Sequence, residues 1–439
     1  MIVLLRLLYN LLFPFILVLL LPGFLHRMIR RGKYRHKFWQ RFGIYSPRVR
    51  ERLGTGRVWV HAVSVGEVMI ALKLIRALKA RDPDAAFVLS TTTSTGFKVA
   101  ARAKSPWLEP IYNPLDFLPT ARAAVRTIRP KQLVLVEAEA WPNILAEVRD
   151  LGSSVVMVNT RLSARSEKRY RAVRWLAAPV FNQIDRLCLQ EDRDIARWTS
   201  LGVDRSRLVV TGSIKFDNST AGPRAARDFQ PVLRSLGVPA GAPVLLGGST
   251  FDGEETVLAQ VFLTLRERWP DLLLILVPRH VERSGEIEAA LAPTGLRVAR
   301  RKSPGTSGRP DILLVDTTGE LRDWYACADV VFMGKSLTAR GGQNPAEPVT
   351  AGVPVIFGPN MQNFATLASQ FLSVGGAIEV RDAEEITRAV DTLLRDPALR
   401  STMAAKAAEC LASHSGATAR TCEILEAYRS SPSTRVGTP

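Results

Sequence analysis

The stretch from residue 58 to residue 80 constrains the fold of this chain more than any other. It reads VWVHAVSVGEVMIALKLIRALKA. Residues 58–63 form a short apolar run rich in β-branched side chains, which is typical of a strand buried on both faces. After a turn at residues 64–66, apolar residues recur at helical spacing. The pattern predicts a strand, a tight turn and a helix, which is the repeating unit of an open α/β sheet.

Glu67 is the most conspicuous residue of this unit. It follows the strand and the turn, and therefore lies beyond the carboxyl end of a strand, where open α/β sheets bind their ligands. It also begins the helix, where the positive end of the helix dipole favours a carboxylate. Spacing alone leaves two interpretations open. Glu67 is either an acid or base that faces a ligand, or a first-turn residue that stabilises its helix.

Size and charge narrow the classes of function. The chain has 439 residues, enough for two domains or more, and a formal net charge of +18. An anionic membrane surface and a phosphorylated substrate suit such an excess. Nucleic acid also suits it, but the sequence has no signature of a nucleic-acid-binding fold, and we expect no such partner. The four cysteines lack metal-binding spacing, so we expect reduced thiols and no metal site.

Residues 1–26 are predicted to form a membrane-anchor helix. Residues 7–25 carry no charged side chain. At about 1.5 Å per residue they are just long enough to cross a hydrocarbon core of roughly 30 Å. No small-x-small cleavage site follows, which disfavours a cleaved signal peptide. A single-pass helix and a monotopic helix that lies in the membrane plane both remain open.

Residues 27–57 are predicted to be a basic juxtamembrane segment. No acidic residue precedes Glu51. Positive charge beside an anchor predicts that the rest of the chain lies on the cytoplasmic side of the membrane. The segment either sets this topology and binds anionic lipids, or forms a docking face for an anionic lipid substrate.

Residues 58–217 are predicted to form a first Rossmann-like domain, because strand-like runs alternate with helical ones. The further runs are residues 86–90, 132–136, 155–159, 186–190 and 208–211. Glu137 and Glu139 follow the run at residues 132–136 and, two residues apart in a strand, share one face. Two carboxylates so close together raise the pKa of one of them or orient a sugar hydroxyl. A capping turn is the alternative. Lys215 follows the last run and is either a surface lysine or a point charge for a phosphate or a sugar carboxylate.

The remaining residues are predicted to form a second half. Residues 218–242 are rich in Ser, Gly, Pro and Ala, which is typical of a linker. Residues 243–429 repeat the strand–turn–helix pattern and are predicted to be a second Rossmann-like domain with C-terminal helices. The tail, residues 430–439, has the composition of a disordered segment.

Polar groups also follow the strand-like runs of the second half. Glycines and hydroxyls at residues 247–250 indicate an anion site at a helix N-terminus. Arg279 at a strand end suits a two-pronged contact with a phosphate or a carboxylate. Asn344 and Glu347 are expected to face a ligand near a helix start, with Glu347 accepting the hydroxyls of a ribose.

Seven motifs occur in the order expected of one family. They are HAVSVGE at 61–67, EAEAWPN at 137–143, NTRLSARS at 159–166, GSIKFD at 212–217, LILVPRH at 274–280, TTGEL at 317–321 and GGQNPAEP at 341–348. With them the chain resembles, from the anchor to about residue 425, the bacterial lipid A-specific 3-deoxy-D-manno-octulosonic acid (Kdo) transferases. The resemblance implies a GT-B glycosyltransferase, in which two Rossmann-like domains face a cleft. The N-terminal domain would bind the lipid acceptor and the C-terminal domain CMP-Kdo.

The activity implied by the resemblance is inverting transfer of Kdo from CMP-Kdo to the tetra-acylated lipid A precursor, lipid IVA. This step belongs to lipopolysaccharide synthesis at the bacterial inner membrane, whose anionic lipids would be further partners. No cofactor and no obligatory metal are expected. The alternative is another membrane-associated GT-B enzyme that transfers a hexose from a nucleotide to a lipid.

The same resemblance assigns roles to residues of the motifs. Glu67 is expected to be the general base, and Glu137 and Lys215 to stabilise the transition state. The expected CMP pocket comprises Pro278, Arg279, Thr318, Gly319, Glu320, Asn344, Pro345, Ala346 and Glu347. The chain departs from the family pattern at Gln343, where a histidine is commoner, at Lys335, where glycine is usual, and at Ala339, where an acidic residue is usual.

Overall fold

Two parallel seven-stranded sheets organise the computed structural model of the chain. The structure describes residues 2–31, 37–137, 139–162, 164–217, 227–303 and 308–430. The chain divides into two compact units, each built on one sheet. The first unit comprises Met1–Thr220 and His414–Pro439, and the second comprises Ala221–Ser413.

The first sheet consists of strands whose side chains are almost all buried, as a sheet covered on both faces requires. Its strands are β1 (Val58–His61), β2 (Phe87–Thr91), β3 (Leu108–Tyr112), β4 (Gln132–Val136), β5 (Ser154–Thr160), β6 (Arg186–Leu189) and β7 (Leu208–Val210). They pair in the order β3-β2-β1-β4-β5-β6-β7. The order reverses direction between β1 and β4. Doubly wound sheets bind ligands at such a switch point, beyond the carboxyl ends of the strands.

The second sheet repeats this design. Its strands are β8 (Val244–Thr250), β9 (Leu273–Pro278), β10 (Val298–Arg300), β11 (Ile312–Leu314), β12 (Val330–Met333), β13 (Val355–Phe357) and β14 (Ala377–Glu379). They pair in the order β10-β11-β9-β8-β12-β13-β14. The switch point of this sheet lies between β8 and β12.

Helices cover the sheets. The α-helices are α1 (Ile2–Arg31), α2 (Pro47–Leu53), α3 (Val65–Arg81), α4 (Ser94–Arg102), α5 (Leu118–Ile128), α6 (Pro142–Asp150), α7 (Ala164–Ala172), α8 (Arg174–Phe181), α9 (Arg193–Ser200), α10 (Gln230–Ser235), α11 (Glu254–Leu265), α12 (Ser284–Leu291), α13 (Leu321–Trp324), α14 (Ala346–Thr350), α15 (Ala365–Ser373), α16 (Ala383–Arg395), α17 (Pro397–Ala412) and α18 (Ala417–Ser430). Short 3-10 helices occupy Phe38–Phe42, Arg205–Arg207, Val281–Arg283, Ala292–Thr294, Tyr325–Cys327 and Gln362–Phe364.

The last helix, α18, belongs to the first unit, whereas the sequence pattern assigned residues 243–429 to one domain. Leu425 is buried among the apolar side chains of α3 and of the first sheet. The amide of Gln132 at the start of β4 donates to the Leu425 carbonyl at 3.0 Å. The apolar face of α18 therefore completes the core of the first unit, and this corrects the predicted domain end.

Part of the segment predicted to be juxtamembrane is packed into the first unit. Arg41 is buried, donates to the Thr92 carbonyl at 2.8 Å and lies 4.4 Å from the ring centroid of Tyr112. Leu53, at the end of α2, is fully buried. Residues 32–36 lie outside the described residues, as do residues 218–226 of the predicted linker and residues 431–439 of the predicted disordered tail.

The remaining part of the predicted linker is folded. Within residues 227–242, α10 forms, and the buried Phe229 stacks on Trp324 with ring centroids 4.1 Å apart. Since Trp324 is itself fully buried, this segment contributes to the core of the second unit.

The first half of α1 packs along one side against the first unit. Arg6 Nε donates to Asn143 Oδ1 at 3.1 Å, and Phe13 stacks on Phe117 at 5.4 Å between ring centroids. The other side of the helix exposes large apolar side chains, namely Leu4, Leu7, Leu8, Leu11, Leu12, Phe15, Val18 and Leu19. Within the part of the chain that the structure describes, no helix combines the length and the apolar character needed to cross a bilayer.

Candidate functional site

Charged side chains collect at the switch point of the first sheet. Glu67 follows β1 and Glu137 follows β4, the two strands on either side of that point. Arg161 follows β5, and Lys215 lies in the turn after β7. The charges of Glu67, Arg161 and Lys215 all act on the pKa of Glu137, so the structure brings together the three residues predicted to be catalytic.

Glu67 lies in the first turn of α3 and forms a capping arrangement. Its backbone N–H donates to Ser64 Oγ at 3.4 Å. Its two carboxylate oxygens accept from the Ser64 hydroxyl and from the backbone N–H of Val63, both at 2.8 Å. The stabilising role at the helix start is therefore present. A carboxylate has about four acceptor positions, so two remain for another donor.

Glu137 is held in an uncommon backbone conformation. Its φ of 67° lies in the left-handed region, which costs a residue other than glycine about 1–3 kcal/mol. The N–H of Glu137 donates to the Val158 carbonyl at 2.9 Å. Burial, followed by the charge of Glu67, raises the pKa of the Glu137 carboxyl, whereas Arg161 and Lys215 lower it. Strained residues surrounded by opposing charges are typical of functional sites.

Glu139 is a second carboxyl that responds to Glu67. Burial, and then the charge of Glu67, raises its pKa to about 7 from an ordinary value of 4.5. In the unfolded chain Glu139 loses its proton first, so between pH 4.5 and pH 7 the folded state binds more protons. This carboxyl therefore makes the first unit less stable as the pH rises through that range.

We expect Glu139→Gln to remove this dependence. The melting temperature of the variant, minus that of the parent, should be small near pH 4.5, grow towards pH 7 and level off above it. Thermal unfolding between pH 4.5 and pH 8.5 measures the difference. Glu423→Gln, at an exposed position on α18, should give a difference that does not change with pH. A flat difference for Glu139→Gln as well would refute the assignment.

The turn that carries Lys215 is fixed by three buried or half-buried groups of the first unit. Asn159 Oδ1 accepts from the N–H of Ile214 at 2.9 Å. Lys73, on the same helix as Glu67, donates to the Ile214 carbonyl at 3.0 Å and also to the Asp217 carbonyl. The Asp217 carboxylate accepts from the N–H groups of Gly416 and Thr418, at 3.1 and 2.7 Å, just before and within α18. These contacts explain how helices distant in sequence position one lysine.

A pocket lies at the switch point of the second sheet. It has a volume of about 380 Å³ and is lined by Ser249, Arg279, Gly319, Leu321, Arg322, Tyr325, Met333, Gln343, Asn344 and Glu347. Ser249 and Met333 lie at the ends of β8 and β12, the two strands of the switch point. Glu347 accepts from the Asn344 side chain at 3.2 Å and lies 3.7 Å from Arg322. The pocket is predominantly polar and offers both cationic and anionic groups.

Four of the nine residues predicted for the CMP pocket line it, namely Arg279, Gly319, Asn344 and Glu347. The other five lie next to these in sequence. Pro278, Pro345 and Ala346 are buried, and Thr318 is exposed. The fifth, Glu320, accepts from the Thr317 hydroxyl at 2.6 Å and forms ion pairs with Arg227 and Arg301.

The anion site predicted at residues 247–250 does not lie at a helix N-terminus in the structure. These residues end β8 rather than begin a helix, and α11 begins only at Glu254. Ser249 nevertheless lines the pocket, with a φ of 54°. Arg322 and Tyr325 were not predicted, because α13 has only 4 residues and is too short to show a helical periodicity.

Glu254 is a residue of this region that the sequence did not single out. It is fully buried, and its carboxylate accepts from four backbone N–H groups, those of Phe251 and of residues 335, 336 and 337, at 2.7–3.0 Å. Lys335 among them has a φ of 56°, the left-handed conformation in which glycine is usual. The bond to Glu254 explains how a lysine is tolerated there. Gly334 is required, since a Cβ would lie 2.3 Å from the Ser249 carbonyl oxygen.

Among the described residues, no group of three or more His, Cys, Asp or Glu side chains has the arrangement of a metal site. Two parallel sheets, each with a polar site at its switch point, define the class of α/β proteins with a GT-B-like fold. The solved structure of the glycotransferase of kitacinnamycin superposes with a TM-score of 0.50 at 19% identity, covering 85% of this chain and 99% of that one. The predicted α/β fold with two parallel sheets is thereby confirmed.

Sequence comparison identifies the family within this class. A family model described as 3-deoxy-D-manno-octulosonic-acid transferase (kdotransferase) matches residues 36–218. The curated 3-deoxy-D-manno-octulosonic acid transferase of Chlamydophila psittaci is 32% identical over 424 residues, 96% of each chain. That of Bordetella pertussis is 36% identical over 384 residues, 84% of this chain and 86% of the relative. The chain belongs to the Kdo transferases.

Proposed function

We propose that the chain transfers Kdo from CMP-Kdo to the tetra-acylated lipid A precursor with inversion at the anomeric carbon. The observation that carries this proposal is the placement of Glu67 and Glu137 at the switch point of the first sheet, in a chain of the Kdo transferase family. Bound there, the acceptor presents a glucosamine hydroxyl to the carboxylates. A positioned carboxylate that takes the proton of this hydroxyl contributes about 10²- to 10⁴-fold to the rate.

Glu67 is the base in this proposal. Its two carboxylate oxygens keep their bonds to Ser64 and Val63 and still have acceptor positions for the hydroxyl. Glu137 and Lys215 bind the groups on which charge builds up as the new bond forms. Arg161 lies close enough to lower the pKa values of both Glu137 and Lys215. Its positive charge offsets part of the negative charge of Glu67 and Glu137.

The donor binds at the second sheet. Arg279 supplies a two-pronged cation for the phosphate of CMP, on which negative charge develops as the bond to the anomeric carbon breaks. Glu347 accepts hydrogen bonds from the ribose hydroxyls, and the Asn344 amide donates to or accepts from the nucleoside. Both residues line the same pocket as Arg279, which supports these roles. With cationic side chains at both switch points, the proposed reaction needs no metal ion.

The acceptor is a membrane lipid, and α1 supports a monotopic association with the cytoplasmic face of the bacterial inner membrane. One side of α1 is bonded to the first unit, through Arg6 and Asn10, whereas the opposite side exposes leucine and phenylalanine side chains. Trp175 on the adjacent α8 is also exposed, among arginines of α7 and α8. Apolar side chains next to cationic ones are the composition of surfaces that bind anionic bilayers in the interfacial plane.

The test uses the purified full chain in nanodiscs that contain anionic phospholipid. We expect release of CMP that requires both CMP-Kdo and the tetra-acylated precursor, with a product whose mass increases by one Kdo residue or more. A chain that releases no CMP under these conditions would refute the proposal. A larger thermal shift with UDP than with CMP, together with transfer of a hexose from a UDP-hexose, would instead identify another glycosyltransferase activity.

A further inference from the structure

An apolar groove lies between three helices of the first unit. It has a volume of about 350 Å³ and is lined by side chains of α1, α6 and α8, among them Leu5, Ala146, Leu176 and Val180. Since α1 packs against α8, and α6 carries only alanine at the facing position, the three helices leave a space between them. We propose that this groove receives one fatty acyl chain of the glycolipid acceptor, an inference that rests on the proposed function.

The position of the groove connects it to the carboxylates. Pro142, the first residue of α6, lines the groove and lies only three residues after Glu139. An acceptor whose sugar lies at the switch point of the first sheet therefore reaches the groove with the chain attached to that sugar. The lining of the groove is predominantly apolar, whereas the lining of the pocket at the second switch point is predominantly polar.

The groove is continuous with the exposed apolar side of α1. Leu5 and Tyr9 line it, and Leu8 and Leu12, on the neighbouring stripe of the same helix, are nearly half exposed. Residues three or four apart on a helix are neighbours, so the apolar surface runs across α1 without a break. An acyl chain passes from a bilayer at the outer side of α1 into the groove over apolar surface alone.

The two arginines that line the groove are already paired. Arg6 bonds to Glu147 and Asn143, and Arg149 bonds to Asp185 at 2.6 Å. An apolar chain that enters the groove therefore strips water from no unpaired arginine. Each methylene buried in it adds about fourfold to affinity. The groove thus selects acceptors by the presence of their acyl chains.

The first experiment fills the groove. Ala146→Trp places a large side chain between α6 and α8, whereas Ala101→Trp makes the same change at an exposed position of α4. With the tetra-acylated precursor we expect Ala146→Trp to raise the acceptor KM about tenfold or more, with little change in kcat or in the KM for CMP-Kdo. With a precursor from which the acyl chains have been removed, the two variants and the parent should have equal kcat/KM. If Ala146→Trp had the same KM for the tetra-acylated precursor as the Ala101→Trp control, the proposal would be overturned.

The second experiment does not depend on activity. A tetra-acylated precursor with a diazirine on its acyl chain is photolysed with the full chain in nanodiscs, and labelled peptides are mapped. Labels on α6 and α8, displaced by unlabelled precursor, are expected. Labels confined to α1 would overturn the groove assignment. It would also be overturned if a photoreactive phospholipid labelled α6 and α8 in the same way and the unlabelled precursor did not displace those labels. Absence of Kdo transfer with such displaceable labels would refute the proposed function and leave the groove assignment standing.

Discussion

Glu67→Gln is expected to lower kcat by about 10²- to 10⁴-fold and to leave the melting temperature and the KM for CMP-Kdo close to those of the parent. Glutamine cannot take a proton from the acceptor hydroxyl, so the contribution of a general base is lost. It does keep the helix cap, because Ser-x-x-Gln forms the same capping arrangement as Ser-x-x-Glu. Steady-state CMP release with CMP-Kdo and the tetra-acylated precursor measures kcat.

The control for this prediction is a second capping glutamate in the same chain. Glu385 in α16 donates its N–H to Asp382 and accepts from the N–H of Arg381, both at 2.8 Å, which are the counterparts of two of the three hydrogen bonds of Glu67. Glu385→Gln should therefore leave kcat within a factor of two of the parent. If Glu67→Gln retained activity, or if both variants lost it equally, Glu67 would be a capping residue and nothing more.

Much of the fold follows from strand-like runs, and the failures have local causes. The run at residues 132–136 is strand β4 with the same bounds, and the unit from residue 58 to residue 80 is β1 and α3. Strand β3 was not predicted, because Glu109 and Pro110 interrupt its apolar pattern. In the structure Glu109 is fully buried and bonded to Arg52 at 2.6 Å, and β3 is an edge strand, where proline is tolerated.

Contacts between distant segments were beyond the reach of the sequence. The apolar face of α18 predicts that this helix packs on something, but the choice of the first unit depends on groups such as Asp217, whose partners lie about 200 residues away. In the same way, the motifs indicated Glu67, Glu137 and Lys215 one by one. The two glutamates converge because the strand order places the ends of β1 and β4 side by side, whereas Lys215 reaches them through the turn after β7 that Asn159 and Lys73 hold. A sequence pattern specifies elements well and their neighbours poorly.

Glu254 is the other position at which we expect a large effect, this time on stability. Its buried carboxylate accepts four backbone N–H groups, and hydrogen bonds to a charged group contribute about 1.5–3 kcal/mol each. In Glu254→Gln one oxygen remains, and the amide N–H₂ faces N–H groups that then lack an acceptor. We expect the second unit to lose about 3–5 kcal/mol of unfolding free energy. The apparent melting temperature should fall by roughly 10 °C.

The same substitution is expected to weaken donor binding, because Glu254 fixes one wall of the pocket. Met333 and Gln343, which flank the segment bonded to Glu254, both line that pocket, and Lys335 between them keeps its left-handed conformation through the bond to the carboxylate. Once this bond is lost, the segment must be ordered again when CMP-Kdo binds. The KM for CMP-Kdo should therefore rise about tenfold, measured at a temperature where the variant is folded. Glu384→Gln, a first-turn glutamate of α16 that is exposed, should change neither quantity. A Glu254→Gln variant with parental stability and parental KM would show that the four N–H groups find other acceptors and that Glu254 does not hold the wall.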